Sequence, residues 1–173
     1  MTYKHLSFVS LFAVAALSAS AQRNVENFNF GWQFHRGNID VTAINTSDGS
    51  WETINVPHDF QISQPWVAPA ANESEDNSDG ASNFKSRLSA RGFKEMGDGW
   101  YVKTYTPAAD MKGRRILLDF EGIMYVGDVY LNGKRIGGTD YGYLGFDIDV
   151  SKLLKYGQAN TIAVHASTSG PLN

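Results

Sequence analysis

The feature that most constrains the fold is a two-residue alternation of apolar and polar side chains, repeated along the chain and interrupted by turn residues. It occurs in residues 100–106, 115–121, 146–150 and 161–167. Because successive side chains of a β-strand point to opposite faces, each segment is predicted to be a strand with one buried face. Asn132-Gly133 separates two further short segments, and this dipeptide is a strong signal for a tight hairpin. Many short strands without a long helix predict an all-β sandwich or barrel.

The N-terminal part shows the same alternation with aromatic residues. In residues 28–34 every second side chain is aromatic. Residues 51–56 alternate as well and are followed by Pro57, which cannot continue a ladder of hydrogen bonds. Helical structure is expected only locally, as one turn over residues 151–156 and a turn or two within residues 84–91.

Composition and charge exclude several classes of function. The 173 residues are 42% hydrophobic and 19% charged, which is ordinary for a globular domain long enough to bury a core. The formal net charge is −3 and there is no run of basic residues, so no nucleic-acid partner is expected. There is no cysteine, and the domain must therefore fold without disulfide bonds.

Residues 1–21 have the organisation of a secretory signal peptide. The basic residue Lys4 precedes an apolar run over residues 6–17, and Ala19-Ser20-Ala21 matches the small-residue cleavage pattern. The apolar run is too short for a membrane span, and the rest of the sequence contains no such segment. We therefore expect export to the periplasm or the extracellular space, one domain at residues 22–173, and no membrane association after cleavage.

His58 and Asp59 are the candidate substrate-side residues. They follow Pro57 at the end of a predicted strand, and a histidine beside a carboxylate can transfer protons or hydrogen-bond to sugar hydroxyls. The alternative is a structural role, in which Asp59 accepts hydrogen bonds from neighbouring backbone N–H groups in a turn. Two adjacent residues without a nucleophile do not define a catalytic site, so no catalytic residue is assigned.

Acidic residues occur in two settings. Residues 64–99 have no regular period, and within them Glu75 begins a spacing that partly fits a calcium-binding loop. That loop would need Asp at its first place and Glu at its last, where Ser86 stands, so a polar surface loop is expected and no metal site. The second set lies on predicted strands and consists of Asp119, Glu121, Asp147 and Asp149. Glycoside hydrolysis needs two facing carboxyl groups, but charge on the solvent face of strands is common, and these four are interpreted as surface residues.

Aromatic residues supply a further set of candidates. Trp66, Trp100 and Tyr101 could stack on a sugar ring, although packing in the core is the alternative, above all for Trp100 and Tyr101 at the start of a strand. His165 is expected as polar surface on the outer face of the last strand. The sequence has no nucleophile elbow, phosphate-binding glycine loop or metal-binding His/Cys spacing, so no cofactor is predicted.

Several short motifs follow one another in a particular order over residues 24–166. They are Gly31-Trp32-Gln33-Phe34, Pro57-His58-Asp59-Phe60, Gly99-Trp100-Tyr101, Leu118-Asp119-Phe120-Glu121-Gly122, Leu131-Asn132-Gly133-Lys134 and Phe146-Asp147-Ile148-Asp149. This succession resembles the N-terminal sugar-binding domain of glycoside hydrolase family 2, which contains β-galactosidases, β-glucuronidases and β-mannosidases. It is most similar to the exported β-galactosidase-type members of Bacteroidetes.

The resemblance implies a jelly-roll β-sandwich of the galactose-binding-domain type, truncated at its C-terminal end. In this family the catalytic glutamates lie in a barrel domain that follows an immunoglobulin-like domain, and neither domain is contained in these residues. The loop that matches Pro57-His58-Asp59 points towards the active-site side. The implied function is that of the N-terminal fragment of an exported β-galactosidase-like enzyme, which shapes the pocket for a β-galactoside-type glycan and braces the catalytic domain. A stand-alone secreted carbohydrate-binding or scaffold module is the alternative.

Overall fold

The computed structural model describes residues 23–67 and 94–168, in which eight β-strands occur. The strands are β1 (Trp32–Arg36), β2 (Glu52–Ile54), β3 (Asp98–Tyr105), β4 (Leu117–Phe120), β5 (Val126–Leu131), β6 (Lys134–Thr139), β7 (Phe146–Asp149) and β8 (Asn160–Ser167). Two short 3₁₀ helices cover Val41–Ala43 and Ala109–Met111. The predicted signal peptide, the acidic loop that was compared with a calcium site, and the expected helix within residues 84–91 lie outside the described ranges.

The strands form two antiparallel sheets. The large sheet has six strands in the order β2-β1-β3-β8-β5-β6, and the small sheet pairs β4 with β7. The inner faces of both sheets contribute to one hydrophobic core, so the sheets pack as the two layers of a sandwich. This confirms the predicted all-β sandwich.

The predicted strand faces account for the core. Ile162, Val164 and Ala166 of β8 are buried in it, as their alternation predicts. From the opposite layer, the rings of Phe120 and Phe146 stack at 4.9 Å between centroids on neighbouring strands β4 and β7. The four carboxylates of the small sheet point outwards and are exposed, as predicted.

The hairpin between β5 and β6 has the predicted tight turn. Asn132 and Gly133 both have positive φ, 52° and 81°, as a two-residue type I′ turn requires. The side chain of Asn132 also reaches the neighbouring strand, where its Nδ2 donates to Asn160 Oδ1 and its Oδ1 accepts from Thr161 N, both at 3.0 Å. One residue therefore shapes the turn and joins the hairpin to β8.

The outer face of the large sheet carries a second apolar cluster that the sequence did not predict. Trp100, Val102 and Ala163 are buried there. The connection between β1 and β2 folds over them and contributes the half-buried side chains of Ile39, Val41, Ile44 and Trp51. The centre of the large sheet is thus apolar on both faces.

One sequence prediction needs correction. The aromatic alternation extends back to Phe28, but β1 begins only at Trp32, and Phe30 is exposed to solvent. Residues 151–156 contain the expected single turn, in which Val150 O accepts from Leu153 N at 2.9 Å and from Leu154 N at 3.1 Å. At its start the Asp149 carboxylate accepts from Ser151 N at 3.0 Å. Within the ranges described, no helix has the length and apolarity to cross a membrane.

Candidate functional site

His58 and Asp59 lie on a segment that packs against the inner face of the large sheet. The chain leaves β2, passes a cis Val56–Pro57 bond and places the Phe60 side chain in the core. The Phe60 ring stacks on that of Phe34 with 5.8 Å between centroids. We refer to residues 57–66 as the rim segment.

The His58 imidazole is half-buried and fixed by aromatic neighbours. Its Nδ1 lies 3.1 Å from the Tyr101 hydroxyl oxygen, and its ring meets Phe34 edge-on at 4.7 Å. Burial, and secondarily the negative charge of Asp59, raise the pKa of the Tyr101 hydroxyl, which therefore keeps its proton. A neutral hydroxyl at this position orients the imidazole, and Nε2 has no hydrogen-bond partner within the described part of the chain.

Asp59 is exposed and takes the turn geometry considered from the sequence. Its Oδ1 accepts from Gln61 N at 2.9 Å. A carboxylate has about four acceptor positions, so one backbone hydrogen bond leaves capacity for sugar hydroxyls. The turn role is therefore observed, and a ligand-binding role is compatible with it.

The rim segment is hydrogen-bonded to the residues that directly precede β3. Gln61 Nε2 donates to Glu95 O at 3.1 Å, and Arg36 pairs with the Glu95 carboxylate at the same distance. A side chain at Gly99 would approach the Phe34 ring to 2.7 Å and the Phe60 ring to 3.3 Å. The glycine of the Gly99-Trp100-Tyr101 motif thus provides the space for the rings beneath His58.

The three aromatic candidates have different environments. Trp100 is 4% exposed and Tyr101 is 8% exposed, so core packing accounts for both, as the alternative interpretation expected. Trp66 is 72% exposed and ends the rim segment. Tyr101 nevertheless belongs to the candidate site, because its hydroxyl contacts His58.

His165 has more contacts than a polar surface residue. It lies on the outer face as predicted, but its side chain is only 17% exposed and its Nε2 is 3.0 Å from the Asp98 carboxylate. Its ring lies 4.8 Å from that of Trp100 at a shallow angle of 32°. The expectation of plain surface is wrong, because His165 packs on the Trp100 ring and contacts the Asp98 carboxylate.

Two further features lie away from the rim segment. A shallow cavity of about 560 Å³ is lined by Arg114, Lys152 and neighbouring residues of the β3–β4 and β7–β8 connections. Among the residues that the structure describes, no group of three or more His, Cys, Asp or Glu side chains is placed to hold a metal ion. The carboxylates of Asp119, Asp147 and Asp149 lie on the outer face of the small sheet, away from the core side on which His58 lies, and Glu121 is exposed just after β4.

The two packed antiparallel sheets place this chain in the class of galactose-binding-like jelly-roll domains. Residues 85–170 match the family model described as "Glycosyl hydrolase 2 galactose-binding domain-like". The chain belongs to glycoside hydrolase family 2, as the order of its motifs indicated.

The proteins that are similar to this chain in sequence are much longer than it is. A beta-glucuronidase of Formosa agariphila is 33% identical over 146 residues, which are 84% of this chain and 14% of that protein. A beta-galactosidase of Bacteroides ovatus is 27% identical over 158 residues, 91% of this chain and 17% of that protein. The chain spans about one seventh of the length of such relatives and corresponds to one domain of them.

Solved structures agree with this assignment. A family 2 glycosyl hydrolase from Bacteroides cellulosilyticus superposes with a TM-score of 0.66 and 30% identity over 84% of this chain and 18% of that one. A crystal structure of a beta-glycosidase from Bacteroides vulgatus has a TM-score of 0.62 and 31% identity, over 83% of this chain and 17% of that one. The predicted jelly-roll fold is therefore confirmed.

Proposed function

We propose that this chain is the N-terminal, substrate-side domain of an exported family 2 glycosidase of the β-galactosidase type. The observation that carries the proposal is the match of residues 85–170 to the family 2 domain, together with the relatives of which this chain spans only a small share. In the proposed enzyme the jelly-roll forms part of the pocket rim and braces a catalytic barrel. The catalytic carboxyl pair belongs to that barrel.

The rim segment supplies the groups for substrate contact in this proposal. The Asp59 carboxylate accepts hydrogen bonds from sugar hydroxyls, and His58 offers Nε2 to a second polar group of the substrate. Tyr101 acts as a positioning residue, because its hydroxyl fixes the imidazole through Nδ1. The stacked Phe34 and Phe60 rings provide a rigid base, which limits the conformational entropy lost on binding.

The sugar is proposed to be a β-galactoside, with a β-glucuronide as the second candidate. The identity to the Formosa agariphila beta-glucuronidase, 33%, exceeds that to the Bacteroides ovatus beta-galactosidase, 27%. The two sugars differ at C6, where a glucuronide carries a carboxylate. A cationic group is needed to bind that carboxylate, and neither His58 nor Asp59 supplies a permanent one. Lys94 lies at the end of the rim segment, but its ammonium is engaged by Gln64 O and the Trp66 ring.

The test uses the longest open reading frame that contains these codons. We expect its exported product to hydrolyse an aryl β-galactoside, whereas the 173-residue chain alone does not, because retaining hydrolysis needs two carboxyl groups about 5–5.5 Å apart. Substitution Asp59→Ala should lower kcat/KM by about tenfold or more, since it removes a charged hydrogen-bond acceptor. Turnover of an aryl β-glucuronide in preference to the galactoside would favour the second sugar.

The matched control for that substitution is Asp48→Ala. Asp48 forms the same kind of turn contact, accepting from Ser50 N at 2.9 Å, but it lies in the β1–β2 connection. Asp48→Ala should leave kcat/KM unchanged. An equal loss of kcat/KM in both variants would mean that Asp59 acts only in folding.

A reading frame that ends with this domain, together with a product that binds glycans without hydrolysing them, would favour the stand-alone module. N-terminal sequencing of the exported product tests for cleavage after Ala21.

A further inference from the structure

Trp66 is a tryptophan that the fold leaves in water. It is 72% exposed, whereas Trp32 and Trp100 are 6% and 4% exposed. Burying a large apolar side chain is worth about 1.5–3 kcal/mol, so a tryptophan held at the surface forgoes a substantial stabilisation. Single exposed apolar residues are common, and exposure alone does not define a site. Trp66 is, in addition, held in place by Lys94.

Three contacts fix Trp66 before any ligand arrives. Its backbone forms an isolated antiparallel bridge with Lys94. The Lys94 ammonium lies 4.1 Å from the centroid of the indole ring and donates a hydrogen bond to Gln64 O at 2.6 Å. The Gln64 side chain in turn donates to Phe60 O at 3.2 Å, which links Trp66 to the buried end of the rim segment. An aromatic ring held in this way loses little conformational freedom when a ligand binds.

The two faces of the indole are therefore not equivalent. Lys94 occupies one face through a cation–π contact, and the ring is otherwise exposed to solvent. The open face suits a flat and partly apolar group without positive charge, because the ammonium behind the ring disfavours a second cation. A β-galactopyranose presents such a group, since its axial 4-hydroxyl leaves the C–H bonds at C3, C4 and C5 on one face.

We propose that Trp66 is a stacking platform for a β-galactoside residue of a longer glycan, on the same rim segment as His58 and Asp59. This inference rests on the proposed function and adds a contact to it. Lys94 acts as a positioning residue, which keeps the indole plane fixed from behind. The glycan class is a β-linked galactan, and the unit stacked on Trp66 is held by its apolar face.

The experiment is a titration of the ¹⁵N-labelled full chain with β-1,4-galactotetraose, followed at the indole N–H signals. It is made at protein concentrations below those at which light scattering detects self-association. The Trp66 signal is identified by its loss in Trp66→Phe. We expect this signal to move on titration while those of the buried Trp32 and Trp100 stay in place, and saturation transfer to reach the C–H protons of the sugar. Trp66→Ala should weaken binding about tenfold, the order expected for loss of one aromatic stack with its buried area, and Trp66→Phe by less.

Ile62→Ala is the matched control. Ile62 is on the same segment and is 71% exposed, but it has no ring. Unchanged affinity in Ile62→Ala with a loss in Trp66→Ala supports stacking, whereas equal losses overturn it in favour of general apolar contact. A Trp66 signal that does not move at saturating sugar also overturns the proposal. That result leaves the enzymatic proposal standing, because the latter is measured by turnover of the longer product and by Asp59→Ala.

Discussion

At the scale of single residues, the buried side-chain amide of Asn160 has hydrogen-bond partners for both its nitrogen and its oxygen. Its side chain is fully buried, which is costly for an amide unless every polar atom has a partner. Nδ2 donates to the carbonyls of Lys155 and Gln158, and Oδ1 accepts from Lys155 N and from the Asn132 side chain. The amide thereby fixes the turn before β8 and connects it to the β5–β6 hairpin.

The first prediction concerns the hairpin glycine. Gly133→Val should destabilise the chain by about 1–3 kcal/mol, because a β-branched residue is strained at positive φ. A Cβ atom at this position would meet no atom within 4 Å, so the expected loss comes from the backbone conformation and not from a clash of the Cβ. Gly133→Asn is the control, since asparagine tolerates this backbone conformation and should cost less. Equal urea midpoints for Gly133→Val and the parent chain would contradict the turn assignment.

A second residue-scale prediction follows from the raised pKa of Tyr101. The unfolded chain ionises this hydroxyl near its ordinary pKa of about 10, whereas the folded chain keeps it protonated to higher pH. The stabilisation is therefore complete below about pH 10 and is lost as the pH rises beyond it. Tyr101→Phe cannot ionise, and its urea midpoint should fall less steeply above pH 10 than that of the parent chain. Parallel pH profiles would mean that Tyr101 is not buried.

At the scale of elements, the small sheet contains a pair of like charges, which the exposed Arg23, 4.0 Å from the Asp119 carboxylate, offsets only weakly. Asp119 of β4 and Asp147 of β7 are direct partners in register, and both are exposed. Like charges directly opposite one another destabilise a strand pair. Asp147→Lys should therefore raise the thermal midpoint by about one to two degrees, an effect that salt weakens.

The control for this charge reversal is Asp140→Lys. Asp140 is exposed and lies in the connection between β6 and β7, outside the strand pair. Asp140→Lys produces the same change in net charge as Asp147→Lys without altering the pair formed by Asp119 and Asp147. An equal gain in both variants would attribute the effect to net charge instead of register.

The elements also show what the sequence could predict. Strands with one buried face follow from local alternation, and seven of the eight lie within or very close to the predicted segments; β1 starts late because Phe28 packs on Trp32 and Tyr105 from outside the sheet. The covering of Trp100 by the β1–β2 connection could not be predicted, because it depends on which distant segments meet. The contact of His58 with Tyr101 joins residues 43 positions apart and depends on strand register in the same way.

At the scale of the whole molecule, the open sheet edges determine how the chain behaves alone. In the described ranges the outermost strands are β2 and β6 in the large sheet and β4 and β7 in the small one. Because β8 is paired on both sides, any strand that follows it must join one of these outer edges.

We expect the isolated chain to self-associate through these edges, since unpaired strand edges are templates for other chains. Light scattering should show species larger than a monomer, and a chain extended through the next strand of the reading frame should scatter less. The control is an extension of equal length with a Gly/Ser sequence, which adds solubility but no strand. A monomeric, cooperatively unfolding parent chain would contradict this expectation and favour the stand-alone module.

The central position of β8 has a consequence for how the protein is made. β3 and β5 both pair with β8, so neither side of the large sheet has its central partner until residues 160–167 have left the ribosome. Such long-range pairings form slowly, because the intervening chain must be ordered first. The domain therefore lacks its central strand pairings until nearly all of its own residues have been made. In the exported enzyme that we propose, this delay would keep the domain in the state in which a secretion channel can thread a polypeptide.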